Sequence, residues 1–149
     1  MDTEGQKHPP QSGLDYLRER LKDWHGSAMA ETMNFKLIAV EDGSATFEGF
    51  PSPKYYNPQM RLHGGYAATL IDSATGCACY SLMPPDCGYA TVETKGNLSR
   101  PILHNTGRVR AEARVVMLMK SRSSWPSPST SAARPLSSTP RLRPTGSPP

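Results

Sequence analysis

At 149 residues and 16.3 kDa the chain has room for one domain, yet 36% hydrophobic residues is low for a core of that size. The formal charge of +4 resides at the end of the chain: positions 1–120 carry 13 Lys+Arg against 13 Asp+Glu, and the other four arginines follow Ser121. A neutral body excludes a basic domain for nucleic acid or anionic membrane. The lack of any run near about 18 apolar residues excludes a spanning helix, and the N-terminus lacks the basic-then-apolar layout of a signal peptide.

Residues 1–12, with Pro9-Pro10, read as a loose leader. Leu14, Leu17, Leu21 and Trp24 then recur at helical spacing among charged neighbours, which predicts a short amphipathic covering helix ending near Gly26 within a leader region of 1–33. Residues 34–40 and 45–50 are β-like, and Glu41-Asp42-Gly43-Ser44 turns between them, so the pair reads as a hairpin. Pro51, Pro53 and Pro58 prevent regular structure up to Leu62, leaving a loop that carries Tyr55, Tyr56 and Asn57 toward His63-Gly64-Gly65.

From 66 to 82 nearly every residue is small or apolar, including Ala67, Leu70, Ile71, Ala74 and Ala78, which predicts a buried helix stopped by Pro84-Pro85. Two strand-like segments follow at 89–98 and 107–119. In the second, Val109, Ala111, Ala113 and Val115 alternate with charged residues, so one face is wet. Residues 34–120 thus form an α+β domain, an antiparallel sheet wrapped around one long buried helix. Cys77 and Cys79 lie two residues apart on that helix and point away from each other; with Cys87 they read as free thiols of a cytoplasmic protein, neither a disulfide framework nor a metal site.

Asp72 stands in the middle of the apolar helix, with no Lys or Arg at helical spacing to pair it, and burying an ionised carboxylate alone costs several kcal/mol. Two readings stay open: a functional carboxylate, or an Asp on a narrow exposed stripe with Thr69 and Ser73. Gly64 and Gly65 open the helix, where N–H groups lack intrahelical acceptors and lie at the positive end of the dipole. They read either as an oxyanion pocket or as a plain helix-entry turn. Gly64 and Asp72 lie eight residues apart in sequence, roughly 12 Å along one helix, so a carbonyl touched by both requires two copies of the chain.

Asn57, His63-Gly64-Gly65 and Thr69-Leu70-Ile71-Asp72-Ser73-Ala74, followed by Thr91-Val92-Glu93 and Asn97-Leu98-Ser99-Arg100-Pro101-Ile102, resemble the hotdog-fold acyl-CoA thioesterases of the phenylacetate-pathway type over residues 34–116. The resemblance implies a cofactor-free, metal-free thioester hydrolase acting on acyl-CoA as a homodimer or homotetramer, with no nucleic-acid or membrane partner. It implies Asp72 as nucleophile or general base and the Gly64 N–H as polariser of the carbonyl. Asn57 would orient water or thioester, Thr91 would assist from the segment after the helix, and His63 would act in the site or fix its loop. Gly65 and Arg100 would bind substrate, Arg100 through CoA phosphate. No Gly-x-Ser-x-Gly elbow or Gly-rich phosphate loop is present, and His8, His25 and His104 do not supply the histidine of the related dehydratases. The alternative is a non-catalytic acyl-CoA-binding hotdog protein, which would keep Gly64 but not need Asp72 or Asn57, or an inactive truncated thioesterase.

The resemblance stops near Met117. Residues 121–149 hold nine Ser, seven Pro and four Arg with no Asp or Glu, a composition that predicts no strand pairing, so the last two strands of the fold are expected to be missing. Native disorder is one reading of this tail. A change of reading frame is the other, because a one-nucleotide shift in GC-rich codons permits Gln-Gln-Leu-Ala-Val-Ala-Glu and Val-Asp-Ala-Thr-Ala-Thr in its place.

Overall fold

The computed structural model describes residues 10–22, 24, 26–103, 105–118, 136–138 and 141–144, the last two stretches as backbone. The element order is α1 (Gly13–Lys22), α2 (Ala28–Thr32), β1 (Phe35–Glu41), β2 (Ser44–Gly49), a single 3-10 turn (Pro53–Tyr55), α3 (Gly64–Tyr80), β3 (Val109–Leu118), β4 (Leu136–Ser138) and β5 (Arg141–Pro144). The covering helix and hairpin fall where the periodicity predicts them, and α3 starts two residues earlier than the apolar run, at the glycine pair. Helix α2 was not anticipated, because five residues hold no full periodic signal; Ser27 caps it, its Oγ accepting from Ala30 N at 3.3 Å.

β1, β2 and β3 form an antiparallel sheet in the order β1-β2-β3, registered through Leu37↔Phe47 and Phe47↔Ala111. Alternation puts Phe35, Leu37, Val40, Ala45, Phe47, Val109, Ala111 and Ala113 on the inner face, with an irregularity between Leu37 and Ala39 that returns Val40 to that face. Tyr66, Leu70, Ala74 and Ala78 of α3 pack onto them, and α1 closes one side with Leu17. This is the hotdog arrangement expected, a long helix lying in the curve of a sheet. On the outer side Glu48 is only 4% exposed, yet it pairs with Arg108 at 3.3 Å and Arg110 at 3.0 Å, which compensates its lost hydration. The hairpin turn is fixed to the helix end: Gly43, at φ 72°, donates its N–H to Ser81 Oγ at 2.8 Å, and Ser81 Oγ donates to Ala78 O at 2.8 Å.

Two departures concern the segments beyond α3. Residues 89–98 were expected as a strand but carry no ladder partners: β3 occupies the edge of β2, and no described strand pairs with them. In the tail, where composition predicts no pairing, β4 and β5 run antiparallel to the other edge of β3, β5 through Val109–Glu112 and β4 through Val115–Leu118. Neither stretch has a proline in its interior, and Pro144 sits at the end of β5, where a missing N–H is tolerated. The remaining tail and leader positions lie outside the described residues. Past Arg114, where pairing with β2 ends at Ser44, Val116, Met117 and Leu118 are exposed. No helix among the described residues is long and apolar enough to cross a membrane.

Candidate active site

The N-terminus of α3 is organised by His63. Its Nδ1 accepts from Gly65 N–H at 2.8 Å, its carbonyl accepts from Tyr66 N at 3.0 Å, and its own N–H donates to Tyr55 O at 2.8 Å. The imidazole is therefore a helix cap and joins the tyrosine loop to α3. Gly65 spends its N–H on this cap. Gly64, at the first helical position, keeps an N–H with no acceptor inside the helix.

Along α3 eight of the 17 residues are buried, while Thr69, Asp72 and Ser73 form a half-buried polar stripe. The two readings of Asp72 therefore converge: it lies on a stripe with Thr69 and Ser73, and that stripe is where other polar groups meet it. Thr91 Oγ1 donates to Asp72 Oδ1 at 3.1 Å and Thr94 Oγ1 donates to the same oxygen at 3.3 Å. Oδ2 has no hydrogen-bond partner among the described residues. Asp72, Thr94, Thr69, Ser73, Ala68 and Met29 line an open depression of about 450 Å³.

Segment 89–98 reaches this carboxylate by running back along α3. The hydroxyl of Tyr89 rests against Gly76, where a side chain would collide with it, Thr91 and Thr94 stand at Asp72, and Leu98 lies where a Cβ on Gly64 would meet its Cδ1 at 2.9 Å. Tyr89 is 39% exposed overall, but its hydroxyl end is tucked in; burial raises its phenol pKa, with smaller contributions from Cys77 and Asp72. Burial also pushes the thiols of Cys77 and Cys79 up, to about 12 and about 11, so both stay protonated near neutral pH and neither is a ready nucleophile.

Of the residues singled out in the sequence, the structure brings Thr91 to Asp72 and does not bring Asn57, His63 or Arg100 there. Asn57 Oδ1 accepts from the backbone N–H of Gln59 at 3.0 Å and Arg61 at 3.2 Å, an Asx-type turn that shapes the loop. His63 and Gly65 line a separate depression with Tyr55, Tyr56, Tyr66 and Thr69, so Thr69 is the wall shared with the Asp72 side. Arg100 is exposed at the end of the returning segment. Thr94 was missed; in a regular strand it would face away from Thr91, and only the irregular backbone lets both reach one oxygen.

Residues 61–125 match the thioesterase superfamily. Among solved structures, a conserved protein of Pseudomonas aeruginosa is 27% identical, with 85% of this chain and 86% of that one covered, at a TM-score of 0.65. A thioesterase family protein from Silicibacter pomeroyi is 25% identical over 66% of this chain and 72% of that one, at a TM-score of 0.60. A mutant of the phenylacetic acid degradation protein PaaI from Thermus thermophilus is 25% identical over 62% and 76%, at 0.56. No curated protein sequence matches.

Proposed function

We propose that this chain, in which a thioesterase-superfamily sequence lies on a hotdog fold, hydrolyses acyl-CoA to a free acid and CoA. The observation that carries the reading is a carboxylate on the central helix whose Oδ1 is held by two hydroxyls and which lines an open depression within the matched segment. Asp72 either attacks the thioester carbonyl directly or takes a proton from the water that attacks it. In the water route the hydroxyl adds to the carbonyl carbon, the C–S bond breaks, and the proton held by Asp72 returns to the departing thiolate. The Gly64 N–H, at the positive end of α3, stabilises the oxyanion that forms on the way. Because Gly64 and Asp72 are roughly 12 Å apart along α3, the two groups come from different copies of the chain, and a homodimer is the smallest active unit. Asn57 shapes the loop that delivers Gly64, and Arg100 offers a cation to CoA phosphate.

Release of thiol from short aliphatic and phenylacetyl-type CoA esters tests the reading. Asp72→Asn is expected to lower kcat about a hundredfold or more while the thermal midpoint stays near that of the parent, since the residue is only half-buried. Activity that survives this substitution would remove Asp72 from the mechanism. Tight acyl-CoA binding without turnover by the parent protein would favour a binding protein instead.

A further inference from the structure

Beneath α1 lies a chamber of about 450 Å³, distinct from the depression at Asp72 but sharing Ser73 with it as a common wall. Its sides are rings: Tyr16 and Trp24 from the covering region, Phe35 and Phe47 from the sheet, Tyr80 from α3 and Tyr89 from the returning segment. Trp24 meets Phe47 edge to face at 5.7 Å, Phe35 meets Phe47 at 5.9 Å and Tyr16 meets Tyr80 at 5.8 Å, so the walls brace one another. Among the described residues the one charged side chain in the lining is Arg20, which lies over the Tyr16 ring at 5.2 Å and donates from Nε to the Tyr16 hydroxyl at 3.2 Å.

We infer that this chamber receives the acyl chain of the thioester and that α1, which lies outside the matched residues 61–125, sets the length accepted. The inference rests on the thioester reading of Asp72 and deepens it. Ser73 follows Asp72 on α3, so a carbonyl held at the carboxylate directs its chain past Ser73 into the chamber. The space is of ligand size, and its mostly apolar walls exclude the polyanionic nucleotide of CoA, which leaves the apolar acyl group as occupant. Cys77, protonated at neutral pH, adds an apolar wall beside it.

The full-length protein is titrated with non-hydrolysable S-alkyl-CoA thioethers from ethyl to dodecyl by calorimetry. Affinity is expected to tighten roughly fourfold per methylene until the chamber fills, then to level off. Cys77→Phe, which puts a ring into the space, is expected to move the plateau to shorter chains, and Trp24→Ala to move it to longer ones. Affinity independent of chain length in the parent protein overturns the inference whether or not either variant folds, as does a plateau that neither variant shifts. Turnover of the matching thioesters separates the two claims. Chain-dependent binding without turnover keeps the chamber and sinks hydrolysis, whereas turnover with chain-independent affinity sinks the chamber and keeps hydrolysis.

Discussion

Two threonines direct hydroxyls at one oxygen of Asp72, so this carboxylate is oriented by side chains from another segment rather than by burial. Thr91→Ala and Thr94→Ala are each expected to lower kcat about tenfold with KM nearly unchanged, the range for a hydrogen bond to a charged group. The double variant should lose less than the product of the two, because both donate to the same atom. Steady-state kinetics on the four proteins decides this, and an unchanged kcat would mean the bonds do not orient the carboxylate. Tyr66 supplies a separate test in the core. It is 2% exposed, and burial pushes its phenol from 10.0 up to about 12. The unfolded chain therefore releases this proton first, so the stabilising contribution is whole below pH 10.0 and is lost as the pH rises toward about 12. Denaturant titrations across that window should show a decline to which the raised Cys77, Cys79 and Tyr89 also contribute, and Tyr66→Phe should make it shallower by the share of one group. Asp72 was legible as a carboxylate among apolar neighbours, and Thr91 through the resemblance. The capping role of His63 depends on a ring nitrogen meeting Gly65 N–H, which residue order alone does not fix.

At the scale of elements, the segment 89–98 is tied to α3 by side chains at three places and by no ladder. Gly76→Ala probes this attachment, since its methyl would displace the Tyr89 hydroxyl. We expect a several-fold lower kcat, transmitted through Thr91 and Thr94, and faster proteolysis within the segment, with overall stability reduced by about 1–3 kcal/mol. Limited proteolysis alongside kinetics checks it; a variant with parental kcat and cleavage would show that Tyr89 does not hold the segment. The elements legible in the sequence were those that carry their own periodicity: α1, the β1–β2 hairpin, α3 and β3. Segment 89–98 also read as strand-like, but a strand needs a neighbouring edge to pair with, which a local stretch of sequence does not supply. For β4 and β5 the opposite holds, because the free edge of β3 supplies pairing that Ser/Pro/Arg composition would not suggest.

At the scale of the whole molecule, the proposed site spans two copies, and this can be tested without a structure of the complex. Asp72→Asn chains and Gly64→Val chains, each inactive alone, should recover about a quarter of the parental rate when unfolded and refolded together in equal amounts. Half the dimers are then mixed, and each mixed dimer holds one intact site of two. No recovery in refolded mixtures shown to contain mixed dimers would place both groups in one copy. The low hydrophobic fraction and the net charge of +4 now divide by region: the core of β1–β3 and α3 is amply apolar, and the excess arginines lie in the tail. The far end of β3 has a different consequence. Val116, Met117 and Leu118 stand 67, 57 and 39% exposed beyond the reach of β2. An apolar strand end of this kind is expected to draw proteolytic surveillance, so that clearance as well as the folding equilibrium would bear on the amount of this protein in a cell.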